Sequence, residues 1–157
     1  MSYFISMSCN CEIESIKRIF KPNSSPSPFH VIDMSNTLIA SIVQNGNHKW
    51  SSFVVTYGLS SEHIVDRCAP RKGVSEQFRI YLDKIQEQHG AFTFLLHFFH
   101  GLIFREEIHK YSIIKSTYSD FIKIFPGIEE GILYVVSPEN RHSTTNRHGR
   151  NKGCIYK

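Results

Sequence analysis

Hydrophobic residues recur with a helical period in one long stretch of the chain, residues 74 to 88. Five apolar side chains fall on one face of this stretch, and Gly90 follows at the place where such a helix ends. The apolar residues of this face are Val74, Phe78, Tyr81, Leu82 and Ile85. The spacing therefore predicts an amphipathic helix that packs on a hydrophobic core.

Four runs of continuous apolar residues predict buried strands, and predicted helices separate them along the chain. The runs are residues 29–33, 52–57, 91–98 and 132–136. One further helix is predicted after Thr117, because Asp120 forms a capping box with it and Pro126 ends the segment. Continuous apolar strands that alternate with helices are typical of a mostly parallel sheet covered on both faces. The predicted fold class is therefore α/β.

The composition predicts three parts of unequal character. Residues 1–28 are expected to be an N-terminal arm that ends in a linker rich in Pro and Ser, and residues 29–140 a single α/β domain. Residues 141–157 form a basic tail with five Lys or Arg and no acidic residue. Because the formal net charge is +4, the rest of the chain carries about −1. We expect the tail to contact a polyanion or to lie in solvent.

Cysteine usage and hydropathy bear on the compartment. Four cysteines are too few and too scattered for a disulfide framework, which predicts a reducing, cytoplasmic environment. The chain does not begin with a basic region followed by an apolar run, so no signal peptide is expected. The most apolar run, residues 91–104, contains His97 and His100 and is shorter than the ~20 residues of a membrane-spanning helix. No membrane partner is expected.

Three carboxylates stand at a predicted strand end or helix start: Asp33, Asp120 and Glu139. In a parallel sheet the carboxyl ends of the strands lie along one edge, where such residues can converge. Clustered carboxylates repel one another unless a hard cation lies between them, and Mg²⁺ or Mn²⁺ also bridges to phosphate oxygens. Two such ions can activate a water and stabilise the leaving oxygen of a phosphodiester. The pattern predicts a metal-dependent nuclease.

Four segments resemble, in their order, the motifs of the PIN-like nucleases, especially the amino-terminal part of phage and bacterial 5′ nucleases (flap endonuclease, phage RNase H). These segments are Val31–Asn36, Phe92–Tyr111, Ser119–Ile122 and Gly131–Arg141. The resemblance covers about residues 29–141. It implies a PIN-like sheet order and hydrolysis of nucleic acid with Mg or Mn as cofactor.

The resemblance also implies roles for individual residues. Asp33, Asp120 and Glu139 are the expected catalytic residues and metal ligands, with Glu106 as a further ligand. The residues expected to hold the nucleic-acid backbone are Arg105, Arg141, Arg147, Arg150 and Lys152. Phe98, Phe99 or His100 stands where the family has its second-motif Asp. This departure leaves open a site with one ion, a site rebuilt with Glu106 or Glu107, and an inactive site.

Other interpretations stay open at this point. Residues 137–151 also resemble the end of some homing endonucleases with a His-Asn-His site. Asp33 and Asp120 are equally typical of helix caps and first turns, and His97 of a hydrogen-bonded core. An interpretation from another class is a small viral or mobile-element accessory protein that binds a host or partner protein without catalysis. A nuclease requires its carboxylates around one point, whereas a binding protein requires an exposed apolar patch.

Overall fold

The structure is a computed structural model and describes residues 2–21, 27–34, 51–65, 67, 73–98 and 111–139. Nine helices and strands lie within these ranges. In chain order they are β1 (Tyr3–Cys9), α1 (Ile13–Ile19), β2 (Phe29–Asp33), β3 (Ser51–Tyr57), α2 (Val74–His89), β4 (Phe92–Phe98), β5 (Ser112–Thr117), α3 (Tyr118–Ile124) and β6 (Ile132–Ser137).

The described strands form one six-stranded sheet with the order β2-β3-β1-β4-β6-β5. Every neighbouring pair is antiparallel except β5 and β6, which are parallel. The predicted mostly parallel sheet with PIN-like order is therefore wrong. The sheet is mixed and mostly antiparallel, and the described helices pack on one of its faces.

The main cause of this error is β1. Residues 1–28 were predicted to be an arm, yet Tyr3–Cys9 is a buried strand between β3 and β4, antiparallel to both. Its sequence alternates apolar Ile5 and Met7 with polar Ser6 and Ser8, which is the period of a strand whose two faces differ. The arm prediction is thus wrong for β1 and for α1, which follows it.

The first six elements follow one topological pattern. They run β-α-β-β-α-β, and their four strands lie side by side, each antiparallel to its neighbour, in the order β2-β3-β1-β4. This is the split β-α-β arrangement of ferredoxin-like domains. The last three elements add a parallel β5-α3-β6 unit next to β4.

The hydrophobic core lies between the helices and one face of the sheet. Residues of all three described helices share one buried cluster with alternate residues of the central strands, such as Met7 and Phe94. Leu95 and Leu133 are buried too, but they lie outside this cluster because they point to the opposite face of the sheet.

Phe20, which caps the end of α1, holds this short helix on the core. Its ring centroid lies 4.7 Å from that of Tyr81, 5.9 Å from Phe78 and 6.3 Å from Phe29. α1 has seven residues, and isolated helices shorter than ~12 residues are marginal in water. Packing of Phe20 against α2 and β2, together with burial of Ile16 and Ile19, therefore holds α1 in position.

Several local predictions are confirmed. α2 begins at Val74 and its cap is Gly90, and the strand predictions match β2, β3, β4 and β6 closely. One of the two hydrogen bonds of the capping box is present as well, because the backbone N–H of Asp120 donates to Thr117 Oγ1 at 3.2 Å. Local signals thus located α2, β2, β3, β4 and β6, but they missed β1 and β5 and did not give the strand order.

Cys9 and Cys11 form a disulfide bond where β1 leads into α1. The carbonyl of Cys11 accepts a hydrogen bond from Ser51 Oγ at 2.6 Å, which ties this connection to β3. A bond between residues two apart is local and does not form a framework across the domain. The reducing compartment inferred from the cysteine count stays a prediction.

Replacing Phe20 by alanine is expected to destabilise the fold by about 3–5 kcal/mol, because the ring is 2% exposed and its loss leaves a cavity beneath α1. The free energy of unfolding is measured by urea titration followed by circular dichroism. Leu59→Ala, at a side chain that is 92% exposed, is the control and is expected to change stability by less than about 0.5 kcal/mol. Equal effects of the two changes would contradict this account of α1.

Candidate functional site

The three predicted carboxylates lie at the same end of the sheet but not at one point. β1, β2, β5 and β6 run in one direction, so Asp33 and the residues after β5 and β6 share that end. β2 is an edge strand, however, and β6 is the fifth strand in the order. Four strand spacings of about 4.8 Å separate them by roughly 19 Å. The structure therefore does not bring Asp33 to Asp120 and Glu139.

Asp120 and Glu139 lie near each other at the start of α3, where both have local partners. The backbone N–H of Ser119 donates to Glu139 Oε1 at 2.9 Å, and Ser119 Oγ donates to the same oxygen. Asp120 forms an ion pair with Lys123 at 3.5 Å. Carboxylates at the first turn of a helix satisfy its free N–H groups and its dipole. These contacts are those of residues that stabilise a helix terminus.

Mg²⁺ and Mn²⁺ have no identified ligand group among the described carboxylates. No group of three or more His, Cys, Asp or Glu lies together in the part of the chain that the structure describes. Glu106 and His100 lie outside the described residues, as do the predicted backbone contacts Arg105, Arg141, Arg147, Arg150 and Lys152. The metal cofactor and the roles of these residues therefore stay predictions. The segment similar to homing endonucleases is likewise outside the described residues from position 140 onward.

His97 belongs to a row of buried polar side chains on the sheet face opposite the helix-covered core. Its Nε2 lies 2.8 Å from Ser6 Oγ, and on the same face Ser8 Oγ lies 2.5 Å from Thr93 Oγ1. Ser52, the cross-strand neighbour of Ser8, is also buried, and its hydroxyl has no hydrogen-bond partner. His97 is thus a hydrogen-bonded core histidine, which was one of the two interpretations of the sequence.

A cleft lined by basic side chains lies between α1 and α2, and we refer to it as the α1–α2 cleft. Its volume is about 450 Å³. The C-terminal part of α1 and the residues after it contribute Arg18 and Lys21, and the last turns of α2 contribute Lys84, Gln88 and His89. Lys84 and Gln88 are four residues apart and so share one helix face. None of the described residues that line this cleft is acidic.

The cations of the α1–α2 cleft are not neutralised by described carboxylates. Nearby on α1, Lys17 pairs with Glu14 at 3.7 Å. Within the described ranges, by contrast, Arg18, Lys21 and Lys84 form no ion pair. Basic side chains near the C-terminal end of α1 also interact favourably with the helix dipole, which explains in part why Arg18 lies there. That effect does not explain Lys84 of the facing helix, whose ammonium lies 5.7 Å from the centroid of the Tyr81 ring. The cleft thus combines basic side chains of two elements that have no carboxylate partner within the described ranges.

His89 adds an unsatisfied polar atom to the wall of the cleft. Its Nε2 is buried and has no hydrogen-bond partner in the part of the chain that the structure describes. Burial lowers the pKa of the His89 imidazole from its ordinary value of 6.5. The ring is therefore neutral at pH 7 and can gain both a proton and a hydrogen bond when an anion enters.

The α1–α2 cleft was not among the sites expected from the sequence. Two of its cations, Arg18 and Lys21, lie in residues 1–28, which were predicted to be an arm. Because a Pro- and Ser-rich linker follows them, no contact between these residues and the domain was expected. The signal that was available is the apolar spacing of Ile13, Ile16 and Phe20, which buries one face of a helix and leaves Arg18 on its outer side.

Comparisons of the chain with protein-family models, with curated proteins and with solved structures found no match. Among the described helices, none is long and apolar enough to cross a membrane. The chemistry of the site itself is therefore the basis for the function proposed below.

The stability of the protein is expected to fall as the pH falls through 6.5, because the unfolded chain binds the His89 proton more tightly than the folded one. The contribution of His89 is complete above pH 6.5 and is lost progressively toward the lower folded pKa. The variant His89→Asn lacks this titration. Urea unfolding at a series of pH values measures the difference. The same loss of stability at low pH in both proteins would contradict the burial of Nε2.

Proposed function

We propose that this protein binds nucleic acid through its sugar-phosphate backbone and that the α1–α2 cleft contacts the phosphates. The observation that carries the proposal is the convergence of Arg18, Lys21 and Lys84 on a cleft whose described lining includes no acidic residue. These three side chains have no ion-pair partner in the described part of the chain. An anionic ligand is the natural complement of such a surface.

The side chains of the cleft suit phosphate in particular. The Arg18 guanidinium can bind two phosphate oxygens at once, whereas the Lys21 and Lys84 ammonium groups act as point charges. A cleft of about 450 Å³ lies within the ~300–1,000 Å³ range of small-ligand sites, so it admits one nucleotide unit at a time. Binding of this kind releases counterions and therefore weakens steeply as salt increases.

A second candidate function is binding of a partner protein at the edge strand β5. This strand pairs only with β6 among the described strands, and its Ile113 and Ile114 are 49% and 42% exposed. An edge strand with exposed isoleucines is a template for a strand from another chain. The face is remote from the α1–α2 cleft in the strand order, so the two candidates are tested separately.

Neutralising the cleft is expected to weaken nucleic-acid binding strongly. The triple variant Arg18→Gln, Lys21→Gln, Lys84→Gln removes three phosphate contacts, which for a single strand lowers the affinity by about 100-fold at ~0.1 M salt. The slope of log K against log salt is expected to decrease by about 2. Fluorescence anisotropy with a labelled RNA and a labelled DNA measures both quantities.

The matched control removes the same charges elsewhere. Arg79→Gln, Lys115→Gln, Lys123→Gln changes one Arg and two Lys at exposed positions outside the cleft, and it is expected to retain most of the affinity. Equal losses of affinity in both variants would show that the overall charge, and not the cleft, determines binding. The predicted cleavage is tested by incubating the same RNA and DNA with the protein and Mg²⁺ or Mn²⁺. Cleavage that is abolished in Asp33→Ala would support Asp33 as a catalytic residue.

A further inference from the structure

A second groove adjoins the α1–α2 cleft and has a different chemical character. It has a volume of about 760 Å³ and lies between α1 and the edge strand β2, and we refer to it as the β2-edge groove. Arg18 and Lys21 line both the cleft and the groove. A ligand bound to these two cations therefore has access to both depressions.

The wall of the β2-edge groove away from α1 is largely apolar and accessible. Ile32 is 48% exposed, and Leu59, in the turn after β3, is 92% exposed. His30 is exposed two residues before Ile32, and both lie on the face of β2 opposite Phe29 and Val31, which pack on the core; both line the groove. Exposed apolar side chains and a ring beside cations match a nucleotide, which has a charged phosphate and a flat, largely apolar base.

We infer that the preferred ligand is single-stranded nucleic acid, with a phosphate on Arg18 and Lys21 and the adjoining base in the β2-edge groove against His30, Ile32 and Leu59. This inference rests on the proposed function and specifies its substrate class. In a duplex the bases are stacked and paired, so their faces do not reach such a groove. In a single strand a base can turn outward and pack on a ring or an apolar wall.

The charge distribution favours this occupant over an uncharged apolar segment. Lys17 joins Arg18 and Lys21 along the α1 side of the groove. Among the described residues that line it, Glu14 is the one acidic residue, and it is paired with Lys17. The groove thus has a basic side and an apolar side. A single strand presents its backbone and its bases in the same arrangement.

The test compares three ligands of about 20 nucleotides at one salt concentration: a single-stranded RNA, its duplex, and a strand of the same length without bases. Fluorescence anisotropy with the full chain measures each Kd. We expect the single strand to bind at least about tenfold more tightly than either other ligand, because base packing adds to the phosphate contacts. Equal Kd values for all three would leave backbone binding intact and overturn the inference.

A variant of the groove locates the base contact. In His30→Ser, Ile32→Ser, Leu59→Ser the Kd of the single strand is expected to rise to that of the strand without bases, whereas duplex binding and the salt slope stay the same. The control variant Ile113→Ser, Ile124→Ser changes comparably exposed residues on β5 and α3 and is expected to retain the preference. Circular dichroism establishes that both variants are folded.

The remaining outcomes are also decisive. Loss of the preference for the single strand in the control variant would show that the bases do not bind at β2. Polyglutamate, an acidic peptide, is tested as a competitor of the labelled single strand. If it displaces that strand at a lower concentration than the unlabelled strand does, the groove binds a protein ligand instead. Failure of the wild-type protein to bind any of the three ligands would refute the proposed function itself.

Discussion

Burial of Phe20 against α2 and β2 is the interaction on which the candidate site depends. α1 is too short to be stable by itself, and it carries Arg18 with Lys21 just beyond its end. The Phe20 ring lies against Tyr81 and Phe78 of α2 and against Phe29 of β2. The same aromatic contacts therefore contribute to the core and hold α1 beside α2. They also place Arg18 and Lys21 where both residues line the α1–α2 cleft and the β2-edge groove.

The two faces of the sheet have different chemical roles. One face carries apolar side chains into the aromatic core beneath the helices, while the other places hydroxyl groups and His97 in buried hydrogen bonds. This division requires strands that alternate in polarity, and β1 is the clearest example. The difference between the two faces also accounts for the polar residues of β4, a strand whose other residues are apolar. Histidine and hydroxyl side chains on this face therefore have a structural explanation that does not involve catalysis.

The sequence predicted local structure better than it predicted the site. The apolar spacing of α2, its terminal Gly90 and the capping box at Thr117 all depend on neighbours a few residues away, so they were readable from the chain. The strand order depends on pairings between distant residues, such as Ser8 with Thr93, and no local pattern encodes them. The nuclease hypothesis needed the strand order, because it placed Asp33 beside Glu139. Four strand spacings between β2 and β6 separate these residues, and a basic cleft built from α1 and α2 offers the better supported site.

The most direct test of this account is amide hydrogen exchange, measured by mass spectrometry on the full chain with and without a saturating single-stranded RNA. We expect slower exchange in the peptides that cover Ser15–Lys21 and Lys84–His89, the two sides of the α1–α2 cleft. We expect unchanged exchange in β5 and α3. Protection confined to Ser112–Ile124, with none in α1 or α2, would contradict the central claim that the cleft binds nucleic acid.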